Sequence, residues 1–229
     1  MPKKYLKFLA VFCLLLSSNT AIASINPYFS KDKIDPTKID APFDSESQEF
    51  KNEIKEILKF QSDLSPDELK AARAERHLKP EMIAQAEYPK LTRQKYPHLY
   101  HLLDRSKDSA SMAVWKSKDY WNKKRPYLVD KRVKILMPTS GSSAYPSGHT
   151  TKSYVVAHVL SLVMPQSVNR FKARAATVSQ HRVLVGLHFP RDLKGGVQLS
   201  RIVIENMLES DAFLKDFNRA KDELKNKPL

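Results

Sequence analysis

Cysteine is all but absent from this chain. The only one, Cys13, falls within the first 23 residues, and those read as an export signal. A mature chain starting at Ser24 would contain none, which excludes disulfides, thiolate metal sites and cysteine nucleophiles. An oxidising compartment permits disulfides but does not demand them. No apolar run reaches the length of an ordinary membrane span; the longest, Phe8 to Leu16, is far too short. No segment alternates in the period of a strand with hairpin turns, and no internal repeat is visible. Clustered carboxylates, zinc-finger spacings and RNA-binding signatures are also missing, so specific nucleic-acid recognition has no support.

What is present begins with the signal. Lys3, Lys4 and Lys7 precede the apolar stretch, and Ala21-Ile22-Ala23 offers small residues before a cut at Ser24. This pattern predicts a periplasmic or secreted protein; retention of the segment as an anchor is the alternative. The formal charge is +14, and removing residues 1–23 takes away three lysines and no acids, leaving +11. Such a surplus favours anionic partners, namely phosphate esters, anionic lipid headgroups or nucleic acid, although much of it is a solvated lysine-rich surface.

Residues 24–49, rich in Pro, Asp, Ser and Lys, read as an extended arm, and 50–229 as one domain. Phe50, Ile54, Ile57 and Leu58 recur at helical spacing. Ser65-Pro66-Asp67-Glu68 has the form of a capping box with proline in the first turn. Lys79-Pro80-Glu81 breaks and restarts a helix. Leu99, Leu102, Leu103, Met112 and Val114 predict a helix running into Lys118. The stretch 126–145 reads as a long loop. Helices are expected over 151–163, 168–187 and 193–208, with Gly195-Gly196 allowing close packing. The fold class is therefore all-α, a compact helical bundle.

Three motifs stand in order along this pattern. Lys118 and Arg125-Pro126 are spaced as Lys-x6-Arg-Pro. Ala144-Tyr145-Pro146-Ser147-Gly148-His149-Thr150 joins a tight turn to a helix start. Arg182-x5-His188-x3-Asp192 follows. Lys118 and Arg125, seven apart, would project from one helix face, with Pro126 ending that helix. Pro146 pre-sets a turn, Gly148 lets backbone N–H groups approach an anion, and Ser147 offers a hydroxyl and an N–H. Ser147 alone would read as an ordinary helix cap. Arg182 is followed by apolar neighbours and would be carried inward, a costly position without an anion. Asp192 can hold one nitrogen of His188 and leave the other free.

On these three motifs the chain resembles the class A non-specific acid phosphatases, within the type 2 phosphatidic acid phosphatase (PAP2) superfamily. The resemblance runs from about Leu69 to the C-terminus and is sharp only at the motifs; 104–118 and 211–224 fit loosely. It implies a metal-independent, cofactor-free phosphomonoesterase with His188 as nucleophile, Asp192 as its orienting partner and His149 as general acid. Lys118, Arg125, Ser147, Gly148 and Arg182 would hold the phosphoryl oxygens. One position departs from the family pattern: His181 stands where serine precedes the arginine. It would take over the serine's phosphate contact, narrow the pocket or point elsewhere. His181 and His188 are seven apart but lack a third convincing metal ligand. His77, His98, His101 and His158 are expected on the surface or in the core. The natural substrate and the oligomeric state are open, a homo-oligomer included. Three other readings stand beside the phosphatase: a lipid or isoprenoid phosphatase at a membrane surface, a vanadate-dependent haloperoxidase, and a non-catalytic phosphate-binding envelope protein.

Overall fold

Helix α6, Gly148–Val163, is apolar on nearly every side, so it can be stable only when surrounded. It packs against α4 (Pro97–Trp121), α7 (Val168–Leu184) and α8 (Pro190–Leu208), and α9 (Asp211–Asn226) closes over α4. The structure, a computed structural model, describes residues 26–139 and 141–227. The signal and its cleavage point, within 1–25, lie outside the described residues. Among the described residues there is no strand, and no helix is long and apolar enough to cross a membrane. The all-α expectation holds.

The main core gathers Leu99, Leu102, Leu103, Val155, Val156, Val159, Phe171, Leu199 and Phe213 between these helices. Two smaller cores seal the same end of α7. Under α1 (Gln48–Asp63), Ile54 and Ile57 meet Val133, Val183 and Phe189. Under α2 (Pro66–Ala74), Ala72 meets Met137, Val185 and Leu187. The capping box that starts α2 is formed in both directions: Ser65 Oγ accepts from the Glu68 N–H, and Glu68 accepts from the Ser65 N–H. A short α3, Glu81–Ala84, follows the break at Pro80.

The arm is no free segment over the residues described. Two 3₁₀ turns, Lys31–Lys33 and Pro36–Lys38, lay it along the bundle with Tyr28, Phe29, Ile34 and Ile39 buried. Tyr28 is pinned at both ends: its N–H donates to Ser109 Oγ at 2.9 Å and its hydroxyl to Asp216 at 3.0 Å.

Helices α6 and α8 each begin three residues before the expected start, at Gly148 and Pro190, and three further boundaries differ from the sequence reading for a local reason. Helix α4 stops at Trp121 because Asn122 adopts the left-handed region at φ 42°, before the proline expected to stop it. Pro126 instead opens a short helix, α5 (Pro126–Val129), inside the expected loop, with Arg125 as its extended N-cap. Lys118 and Arg125 thus sit on different elements rather than one helix face. Helix α7 ends at Leu184, not Leu187, because Gly186 turns left-handed at φ 76°. That turn lets the Leu187 and His188 N–H groups both donate back to the Arg182 carbonyl, at 3.0 and 3.2 Å. The expected close packing at Gly195-Gly196 is present: a Cβ on Gly196 would come within 2.8 Å of Thr150 Cβ and 2.9 Å of the Ser147 carbonyl. These glycines let α8 press against the start of α6.

Candidate active site

The three motifs converge on one cavity of about 310 Å³. Its lining includes Lys118, Arg125, Gly148, His149, Arg182 and His188, and adds Arg76, His77, Trp115 and Lys152. No carboxylate is among the lining residues.

His188 follows the Gly186 turn and precedes the first turn of α8. Its Nδ1 lies 2.9 Å from Asp192 Oδ2, and the same oxygen accepts from the Phe189 N–H at 3.0 Å. Asp192 is therefore both the third residue of α8, reaching back to cap it, and the anchor of the imidazole. An ionised Asp192 fixes the proton of neutral His188 on Nδ1 and leaves the Nε2 lone pair unprotonated. Nε2 sits 3.3 Å from Arg125 Nη1. Burial, then Arg125 and Lys118, push the His188 pKa well below its ordinary value; burial pushes Asp192 up to about 7.

The two cations beside it rest on backbone carbonyls. Lys118 Nζ donates to Ser143 O and, at 3.1 Å, to Ala144 O. The Arg125 fork donates to Ser142 O at 2.8 Å and Leu187 O at 2.7 Å. Burial, then the neighbouring Arg125, bring Lys118 down to about 7. A side chain on Gly148 would meet Val114 Cγ1 at 3.1 Å, so glycine allows the start of α6 to lie against α4 and Lys118.

Arg182 is wholly buried. Its Nη2 donates to Ala72 O at 2.7 Å and to Glu75 Oε2 at 3.3 Å, while Nε has no hydrogen-bond partner among the described residues. Burial lowers its pKa to about 10 against the opposing pull of Glu75.

His149 is held from the end of α2. Its Nε2 lies 3.1 Å from Glu75 O and 3.2 Å from Arg76 O, so Nε2 carries the proton and donates to both carbonyls. Burial, then Arg182 and Lys152, lower its pKa to about 3.

Two expected phosphate ligands are placed elsewhere. Ser147 is fully buried. Its Oγ accepts from the Thr150 N–H at 3.3 Å and the Thr150 hydroxyl at 2.9 Å, its N–H donates to Asp192 O at 2.9 Å, and it does not line the cavity. His181 does not line the cavity. Its Nδ1 is 2.8 Å from Glu75 Oε2, in a cluster where Arg174 also reaches Glu75 Oε1 at 2.8 Å. Burial would raise the Glu75 carboxyl, but the His181 hydrogen bond and the surrounding charges hold it below its ordinary value. His181→Ser is accordingly expected to cost stability rather than chemistry: about 1–3 kcal/mol for a lost buried bond, or several degrees in Tm. Turnover in the folded variant should stay within about threefold, since Glu75 still holds Arg182. A pH series of kcat/KM beside a melting curve checks this; a profile shifted on its acidic side would put His181 back at the substrate.

The sequence reading missed Glu75, Lys152, Arg76 and His77. Lys152 was legible, three residues after His149 and so on the same helix face. His77 lines the cavity rather than belonging to surface or core alone. Glu75 carries no local signal, because its partners lie about a hundred residues away. Among the described residues no three His, Cys, Asp or Glu side chains are grouped as a metal site.

Residues 109–207 match the family model of the PAP2 superfamily. An acid phosphatase of Zymomonas mobilis subsp. mobilis is 27% identical over 132 residues, 56% of this chain and 50% of that protein. A non-specific acid phosphatase of Providencia stuartii is 26% identical over 141 residues, 59% of this chain and 56% of that protein. The chain spans about half the length of the curated relatives it matches. Among solved structures, a bacterial vanadium-dependent iodoperoxidase superposes with a TM-score of 0.55 at 21% identity, covering 73% of this chain and 51% of that one, a likeness of fold.

Proposed function

We propose that this chain, a PAP2-superfamily protein related to the non-specific acid phosphatases, hydrolyses phosphomonoesters through a phosphohistidine on His188. One observation carries the reading: an imidazole anchored through Nδ1 by Asp192, with its unprotonated Nε2 beside Arg125 in a cation-lined cavity. In the first half-reaction the Nε2 lone pair attacks phosphorus and the P–O bond to the leaving group breaks. The leaving oxygen takes a proton from His149. Because Nε2–H of His149 is tied to the Glu75 and Arg76 carbonyls, Nδ1 would carry the transferable proton. In the second half His149 takes a proton from water, the water oxygen attacks phosphorus, and the P–N bond breaks. Lys118, Arg125 and Arg182 offset the charge on the three non-bridging oxygens, and the orphaned Nε of Arg182 supports an oxyanion there. Phosphoryl transfer needs little beyond such positioning and charge.

The N-terminal pattern supports export to the periplasm or medium, and a lysine-rich surface is compatible with peripheral contact at an anionic membrane. N-terminal sequencing of extracytoplasmic protein would place the cut near Ser24; an intact Met1 on a cytosolic product would overturn export.

The activity is tested with purified protein and an aryl phosphate, with and without excess chelator. Turnover is expected in both. Activity abolished by chelator and restored by one divalent ion would overturn the metal-free mechanism, and no turnover under either condition would favour a phosphate-binding role.

A further inference from the structure

The cations of the cavity divide into two groups. Lys118 and Arg125 surround His188, and their positive ends rest on carbonyl oxygens; Arg182 is matched by Glu75. Three cations for three non-bridging oxygens complete the needs of a phosphoryl group. The second group surrounds His149. Lys152 stands one turn beyond it on α6, and on a helix such neighbours share a face about 5–6 Å apart. Arg76 and His77 follow the α2 turn whose carbonyls hold the His149 ring. Lys152 is half-buried, and among the described residues no hydrogen bond or ion pair meets its ammonium. Burial lowers its pKa to about 8, and the neighbouring charge that adds to this is another cation, Lys107. A half-buried lysine facing only cations and a carboxylate-free cavity is unfavourable unless an anion arrives.

This position has a chemical meaning that rests on the phosphatase reading. If His149 protonates the leaving oxygen, a group one turn along the same helix face stands beside the leaving group. We propose that Lys152, with Arg76 and His77, forms a second anion subsite for the leaving group, and that preferred substrates are phosphomonoesters whose leaving group carries its own anion, a carboxylate or a second phosphate.

The test compares glycerol phosphate with phosphoglycerate, which differ by a hydroxymethyl against a carboxylate, and adds a bisphosphate to separate the two anions. The readout is the ratio of kcat/KM values, not the absolute rate. Wild type is expected to prefer the doubly anionic esters by roughly ten- to a hundred-fold, the scale of a charge-assisted contact. Lys152→Met should collapse that ratio toward one, and Lys152→Arg should keep most of it. A wild-type ratio near one overturns the subsite. So does an equal loss on both esters in Lys152→Met, which would place Lys152 on the transferring phosphoryl group. Calorimetric binding of glycerol phosphate and phosphoglycerate to wild type and Lys152→Met decides the subsite without turnover. If aryl phosphate is not hydrolysed but Lys152→Met loses the binding preference, the phosphatase reading fails and the subsite stands.

Discussion

His188→Ala should abolish phosphomonoester turnover, by on the order of 10⁴-fold or more, while the protein still binds phosphate and vanadate within about tenfold of wild type. The two properties separate because they live on different groups. The attacking lone pair is on His188 Nε2, whereas the charge that holds an oxyanion comes from Lys118, Arg125 and Arg182. Alanine removes the first and leaves the second in place, apart from the 3.3 Å contact to Arg125. Asp192→Asn attacks the same step indirectly. It frees the ring to take the other tautomer, and a loss of roughly 10²–10⁴ in turnover is expected. Asp192 also caps α8 through the Phe189 N–H, so circular dichroism must show that the variant is folded. Near-normal turnover in folded His188→Ala would remove the nucleophile assignment outright.

The second large effect belongs to His149. His149→Ala should lower kcat/KM, which reports the first half-reaction, by about 10²–10⁴-fold for an alkyl phosphate and far less for an aryl ester with an acidic leaving group, since such an oxygen departs unprotonated. Equal losses of kcat/KM on both esters would take the general-acid role away. The pH profile follows from the same residue. Burial, Arg182 and Lys152 keep His149 neutral above about pH 3, so the proton it passes on must enter with the substrate monoanion. A phosphate monoester loses that proton at a pKa of about 6. Lys118, lowered to about 7, loses its charge soon after. Both changes lower kcat/KM as pH rises, whereas Asp192, pushed up to about 7 by burial, must be ionised to hold His188 and sets an opposing acidic limb, so the profile should be bell-shaped and fall through neutrality on its basic side. Esters with more acidic phosphates should show the fall earlier. An optimum well into alkaline pH would contradict the scheme.

The helical plan was legible because its signals are local. The capping box at Ser65 and the apolar run after Gly148 each act within a turn or two of chain, and each became the element it suggests. The ends were harder. A left-handed Asn122 ended α4 where proline seemed the natural stop, and Gly186 ended α7 inside what reads as one apolar stretch. Gly186 was a signal available to reading, since glycine just past a helix is a common terminator. In the site, the His188–Asp192 pair was legible for the same local reason. Ser147 and His181 were not, because a hydroxyl or imidazole goes to whichever hydrogen-bond partner packing supplies first. For Ser147 that was its own helix start; for His181 it was a carboxylate brought from α2.

That carboxylate also sets an order on mutational change. Glu75 meets His181, Arg174 and Arg182, so substitutions at these positions are expected to be non-additive. The dependence is lopsided. With Glu75 present and a small residue at 181, two arginines still neutralise the carboxylate. With His181 present and Glu75 gone, a buried imidazole loses its hydrogen-bond partner and Arg182 its counter-charge. A path between serine and histidine at position 181 is therefore passable while the glutamate is in place and closed once it has left: the acid must come first and go last.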